Sequence, residues 1–132
     1  MTYKIWATTL ALGLIATFAV ASNPRQAILD GYAASAGGAL SADAGQSLFL
    51  GNHTGGNPDT PSCTTCHTKD PHNQGLTRVG KPIAPMAVSL TPDRFTDPAK
   101  VEKWFLRNCN TVLGRECSAQ EKGDIISYLA SI

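Results

Sequence analysis

The chain is poor in several things at once. Its 132 residues include four cysteines, and only one C-x-x-C pair occurs among them. Basic and acidic residues nearly cancel, 11 against 10, for a formal net charge of +1. That balance supplies no positive field of the kind nucleic acid binding needs. A zinc ribbon needs a second cysteine pair, which is missing. No long apolar run follows the first twenty or so residues, so nothing after them would cross a membrane as a helix. There is no internal repeat and no low-complexity segment. A chain of this length and make-up accommodates one small domain.

The first stretch has a different character. Lys4 precedes an apolar run from Ile5 to Val20, and Ala19-Val20-Ala21 has the small-residue pattern of an export cleavage site. A basic start, an apolar middle and an A-x-A end predict a secretory signal peptide over residues 1–21. The domain is then residues 22–132 and its compartment the periplasm. Lys4 is the only charge in the leader, so the exported part carries ten residues of each sign.

Cys63-Thr64-Thr65-Cys66-His67 is the stretch with the most chemistry. It reads C-x-x-C-H, the attachment signature of a c-type haem. Two thiols at this spacing reach the two vinyl groups on one porphyrin edge and become thioethers. His67 then turns its imidazole onto the iron as proximal ligand. His67 directly after Cys66 argues against a thioredoxin-like redox pair. Export agrees with this reading, because haem c is attached outside the cytoplasm. Two cysteines, Cys109 and Cys117, remain after haem attachment, and an oxidising compartment predicts that they are bonded to each other.

The rest reads as helices around that motif. Ser22 or Asn23 caps a first helix with Pro24 in its first turn, and Gly31 and Gly37-Gly38 loosen or end it. Ser41 starts a second, in which Gly45 lies one turn before Phe49, a smooth gap that another helix can cross closely. Residues 51–62 form a loop, and residues 70–85 are irregular. Within the latter, Arg78 and Lys81 are candidate partners for haem propionates. Asp97-Pro98 opens a third helix, with Val101, Trp104, Phe105 and Asn108 on one face. Asn110 is placed just past that helix's end. Ser118-Ala119-Gln120-Glu121 is a capping box that opens a last helix, expected to close the domain against Gly45 and Phe49.

Four residues compete for the sixth iron position. Met86 lies between the haem motif and the last helix, where ordinary His/Met electron carriers keep their thioether ligand. His53 and His72 offer bis-histidine ligation, although His72 is only five residues from His67 and has little chain to reach the opposite haem face. Asn108 is a polar amide ending an otherwise apolar helical face, expected to point inward beside Trp104, and a buried amide needs a partner.

Several stretches together resemble the SHP (sphaeroides haem protein) type of oxygen-binding monohaem cytochrome c: residues 55–62, Gly80-Lys81-Pro82-Ile83-Ala84-Pro85, residues 91–97, Val101-Glu102-Lys103-Trp104, Arg107-Asn108-Cys109-Asn110 and Gly114-Arg115-Glu116-Cys117. The resemblance runs from about Ala27 to Leu129. It implies an all-α, class I cytochrome c-like fold, with an extra N-terminal helix and a disulfide-closed loop, Cys109–Cys117, before the last helix. It implies one covalent haem c held by Cys63, Cys66, His67 and Asn108, with His67 and Asn108 on the iron. It also implies binding of O2, NO and CO by the reduced protein. A dihaem cytochrome c and a membrane cytochrome b are the implied redox partners. Oxygen reduction and conversion of nitric oxide with oxygen to nitrate are the reactions such a site would allow. Met86 keeps an ordinary His/Met electron carrier as the alternative.

Overall fold

The computed structural model describes Met1 and residues 23–132. Apart from Met1, the expected signal peptide and its cleavage site lie outside the described residues.

Five helices carry the domain: α1 (Pro24–Ala36), α2 (Ala42–Leu50), the single turn α3 (Thr64–His67), α4 (Pro98–Leu113) and α5 (Ala119–Ala130). A small antiparallel ladder, β1 (Gly75–Leu76) with β2 (Pro82–Ile83), interrupts the stretch expected to be irregular. Its turn is closed from within: Thr77 N–H donates to the Lys81 carbonyl at 2.8 Å, and Lys81 N–H donates to Thr77 Oγ1 at 3.0 Å.

The caps are those the residues dictate. Asn23, Ser41, Asp97 and Ser118 each accept a backbone N–H of the following first turn, and Ser118 with Glu121 forms the reciprocal box. Pro24 and Pro98 occupy first-turn positions, where a missing N–H costs nothing. α1 runs straight through Gly31 and ends at Gly37, whose φ of 72° is the left-handed cap conformation.

α2 and α5 form the core crossing. A Cβ at residue 45 would lie 1.9 Å from the Asp124 carbonyl oxygen, so only glycine allows this approach. The crossing buries Phe49, Ile125, Tyr128 and Leu129 in one cluster. Asp124, on the buried side of α5, accepts from Ser41 N–H at 2.6 Å and from Gln120 Nε2 at 2.8 Å. Its carboxylate thus caps the start of α2, where the helix dipole favours negative charge. α1 contributes no buried residue and is held by polar contacts. Tyr32 donates to the Glu102 carboxylate, Lys122 Nζ lies 2.7 Å from the same carboxylate, and the Tyr32 ring meets Phe105 edge-on at 6.5 Å.

α4 is longer than the sequence pattern indicates. It continues to Leu113, so Asn110 is a helical residue and not a residue past the end. Asn110 Nδ2 donates back to the Leu106 carbonyl at 2.6 Å, and Gly114, at φ 71°, is what stops the helix. The Cys109–Cys117 disulfide is formed, with an S–S distance of 2.02 Å. It ties the last turns of α4 to the start of α5.

Two stability measurements check this account. Gly45→Ala should destabilise by about 3 kcal/mol or prevent folding, because backbone rather than a flexible side chain stands in the way; thermal unfolding reads this directly. Hydrogen bonds from Arg115 hold the Glu121 carboxyl down at about 2. An unfolded glutamate titrates near 4.3. The folded value is the lower one, so the stabilisation is present above about pH 4 and is lost as pH falls through 2. Glu121→Gln should therefore be less stable than the parent by about 1 kcal/mol at neutral pH, with the difference shrinking as pH falls from about 4 and vanishing only below 2.

Candidate functional site

The site is built on one helical turn. His67 N–H donates to the Cys63 carbonyl at 3.1 Å and Thr68 N–H to Thr64 at 3.0 Å. In a helix, positions i, i+3 and i+4 share a face, so Cys63, Cys66 and His67 are brought to one side. Ser62 fixes where this turn sits. It is buried, accepts from Thr64 N–H at 3.2 Å and donates to the Phe49 carbonyl at 3.3 Å. The turn is thus hung from the end of α2. Behind it, β1 approaches so closely that a Cβ at Gly75 would lie 2.1 Å from the Cys66 carbonyl oxygen.

Cys63 and Cys66 are both free thiols and half-buried. Burial pushes the Cys63 thiol up to about 11. The His67 ring packs 6.2 Å from the Phe49 ring. Its Nδ1 is enclosed without a hydrogen-bond partner. Burial first, and the nearby Arg94 charge second, push its pKa down to about 4, so the imidazole is neutral at any ordinary pH. Neutral imidazole is the form that ligates a metal.

The sixth-position candidates are placed very differently. His53 Nε2 is 2.8 Å from the Leu48 carbonyl oxygen. His72 is exposed, with Nδ1 2.8 Å from the Asp70 carboxylate. Met86 packs against the Phe49 cluster. Its N–H, like that of Ala87, donates to the Pro71 carbonyl, so its backbone is pinned to the segment just after His67. Asn108 is exposed rather than inward-facing, and among the described residues its amide makes no hydrogen bond. The buried side of α4 is centred further round, on Val101, Cys109 and Val112 with Phe105 half-buried, where the disulfide and α1 cover it. Asn108 and Trp104 occupy the open shoulder of that face, with Trp104 46 % exposed and the Arg107 guanidinium 5.2 Å from its ring.

Arg78, Lys81 and Arg94 lie on the segments that follow the haem motif. Arg78 and Lys81 are exposed on the hairpin, and Arg78 lies 3.8 Å from Asp59. Arg94 is the half-buried cation whose charge reaches His67. Arg94 Nε donates to the Pro85 carbonyl at 2.6 Å and Nη2 to that of Ala84. Arg25 of α1 in turn holds the Arg94 carbonyl at 3.0 Å and also binds that of Pro92. This bracing flanks Phe95, whose φ of 60° is a strained value for a bulky residue. Only backbone carbonyls receive these arginines, so no charge pairing in the sequence signals them.

Residues 35–129 match a family model described as a domain of unknown function, DUF1924. The chain is 56 % identical over 110 residues to the cytochrome c-type protein SHP of Cereibacter sphaeroides, covering 83 % of this chain and 84 % of that protein. The chain belongs to the SHP family of c-type cytochromes. Its fold superposes on the structure of oxidized SHP, an oxygen-binding cytochrome c, with a TM-score of 0.80 at 55 % identity, covering 82 % of this chain and 96 % of that one. It is also similar to oxidized cytochrome c'' of Methylophilus methylotrophus, with a TM-score of 0.69 at 34 % identity, covering 80 % and 92 % of the two chains. The fold is therefore the helical class I cytochrome c type, and the cofactor is one covalent haem c with its iron.

The residues of this SHP-type chain fit that group. Two free thiols and a neutral imidazole share one face of a helical turn. An exposed indole and an unbonded amide lie on the shoulder of α4, a surface suited to cover by a flat apolar ring. Among the described residues no group of three or more His, Cys, Asp or Glu could hold a metal ion without such a ring. Replacing both Cys63 and Cys66 by Ala should leave any haem extractable into acidified organic solvent, whereas each single variant should retain it on one thioether. Haem staining of a denaturing gel checks both outcomes.

Proposed function

We propose that this protein is a redox-gated, gas-binding monohaem cytochrome c of the periplasm, in which Asn108 is a displaceable sixth ligand. The observation that carries the reading is the position of Asn108, on the α4 shoulder beside Trp104 and directly before the Cys109–Cys117 bridge. The solved relative described as an oxygen-binding cytochrome c supports the gas-binding part of the reading.

In this reading Cys63 and Cys66 hold the porphyrin edge and His67 is the proximal ligand. Haem c supplies an iron that changes oxidation state and, when ferrous, takes a diatomic ligand. The chain's part is to decide when that position opens. An amide oxygen is a hard, weak donor that suits ferric iron better than ferrous. Asn108 therefore holds the sixth position in the oxidised protein and releases it on reduction. Its Nδ2 remains available to donate to an incoming O2, NO or CO. The disulfide restricts the motion to the side chain by fixing the end of α4. Met86 is a wall residue on this account, because its backbone is bonded to Pro71 and its side chain packs with the Phe49 cluster.

Other cytochromes supply the electrons, a dihaem cytochrome c and a membrane cytochrome b being the donors that family membership suggests. Residues 1–21 serve as the cleaved export signal.

The test is direct. The dithionite-reduced protein exposed to carbon monoxide should convert rapidly and completely to a carbonyl spectrum at neutral pH. Asn108→Ala should alter the ferric spectrum and leave ferrous carbon monoxide binding intact. An unreactive ferrous protein, together with a Met86→Ala variant whose ferric spectrum changes, would sink the reading in favour of a His67/Met86 electron carrier.

A further inference from the structure

The loop before the haem motif meets the end of α4 backbone to backbone. Asn57 N–H donates to the Thr111 carbonyl at 2.7 Å. A Cβ at Gly56 would lie 2.3 Å from the Thr111 carbonyl oxygen and 2.4 Å from that of Val112. A Cβ at Gly114 would lie 2.0 Å from the Gly55 carbonyl oxygen, and one at Gly55 would lie 3.0 Å from that of Leu113. Three glycines on two segments some sixty residues apart thus allow a single close contact. The carbonyls of a helix's last turn have no partner inside the helix, and here the loop supplies one for Thr111. Gly55 and Gly114 both have positive φ, 108° and 71°, so both halves of the contact use backbone that other residues rarely adopt.

The position of this contact gives it a consequence. Asn57 lies six residues before Cys63. The loop between them is closed by His53 N–H donating to the Pro61 carbonyl at 2.7 Å, and its end is fixed by Ser62 on Phe49. On the other side, Asn108 lies three residues, less than one turn, before Thr111. A short, stiff path therefore joins the haem-attachment turn to the residue assigned to the opposite side of the haem, without passing through the α2–α5 core.

We propose that Gly55-Gly56-Asn57, clamped on Thr111–Gly114, is a positioning device that sets the reach of Asn108 to the haem iron. This deepens the reading above and rests on Asn108 being the sixth ligand. The disulfide fixes α4 to α5, and the clamp fixes it to the segment that carries Cys63, Cys66 and His67. Ligand release on reduction is then a movement of one side chain against a frame held from two directions. Gly56 and Asn57 are positioning residues that act on Asn108 through the backbone of α4.

The test uses the holoprotein and four variants: Gly56→Ala, Gly55→Ala, Ser41→Ala and Asn108→Ala. Gly56→Ala should speed hydrogen exchange at the Asn57 amide. It should also shift the ferric absorption spectrum toward that of Asn108→Ala and move the reduction potential. Ferrous carbon monoxide binding should stay intact, as in Asn108→Ala, because the amide is off the iron in that state. Ser41→Ala removes the cap of α2, which lies on neither clamp segment; it should lower the melting temperature and leave the ferric spectrum alone. If Gly56→Ala does not fold with haem, Gly55→Ala, whose Cβ would meet the Leu113 carbonyl oxygen at 3.0 Å and whose φ of 108° adds backbone strain, gives the same readouts. A parent-like ferric spectrum and a parent-like reduction potential in the folded glycine variant would overturn the clamp, provided Asn108→Ala does change the spectrum. If Asn108→Ala itself leaves the spectrum unchanged, the sixth-ligand assignment fails, and the clamp with it.

Discussion

The missing side chain at residue 45 is the constraint from which the rest is suspended. With backbone against backbone at Gly45 and Asp124, α2 and α5 cross closely enough to bury Phe49 between them. Phe49 then does two things for the site. Its ring supports His67 and its carbonyl receives Ser62, so the turn carrying both thiols and the imidazole is located by the crossing. The four-residue helix α3 is too short to be stable alone. Its conformation is imposed by what it is tied to: the end of α2, the loop before it and the hairpin behind it.

The opposite side of the site is organised on another principle. α4 offers few buried residues and is fixed chiefly by bonds to its last turns: a disulfide to the start of α5 and a glycine-lined contact to the loop at residues 55–57. Core packing holds His67, while covalent and backbone constraints hold Asn108. On the proposed reading, this difference is what would let the two sides respond differently to a change of charge at the iron. Arg94 adds a positive charge near the proximal side, held by two carbonyls and braced by Arg25.

Much of this was legible in the residues because much of it is local. The C-x-x-C-H spacing, the caps at Asn23, Ser41, Asp97 and Ser118, and the Gly45/Phe49 pairing all act within a turn or two of chain. The bridge was legible because only two cysteines were left for it. What escaped depends on partners remote in sequence. Nothing near Gly56 announces Thr111, and nothing near Arg25 announces the carbonyls of Pro92 and Arg94. Asp124 sits among apolar neighbours and shows its purpose only against Ser41. The end of α4 was misplaced because Asn110, a residue that commonly stops helices, here bonds back to Leu106 and lets the helix run on to Gly114. Asn108 was expected inside because its periodicity matches Val101. Periodicity does not reveal that the covered side of α4 is turned toward Cys109.

The central claim is that an asparagine amide moves off the iron when the iron is reduced. The measurement closest to it is a redox-induced infrared difference spectrum of the holoprotein, recorded with ordinary and with carbonyl-13C-labelled asparagine and repeated on Asn108→Ala. The account predicts an isotope-sensitive side-chain amide band that shifts between the ferric and ferrous states and is absent from the variant. A spectrum with no asparagine band in either state, alongside a ferric protein showing a sulfur-to-iron charge-transfer absorption, would contradict it.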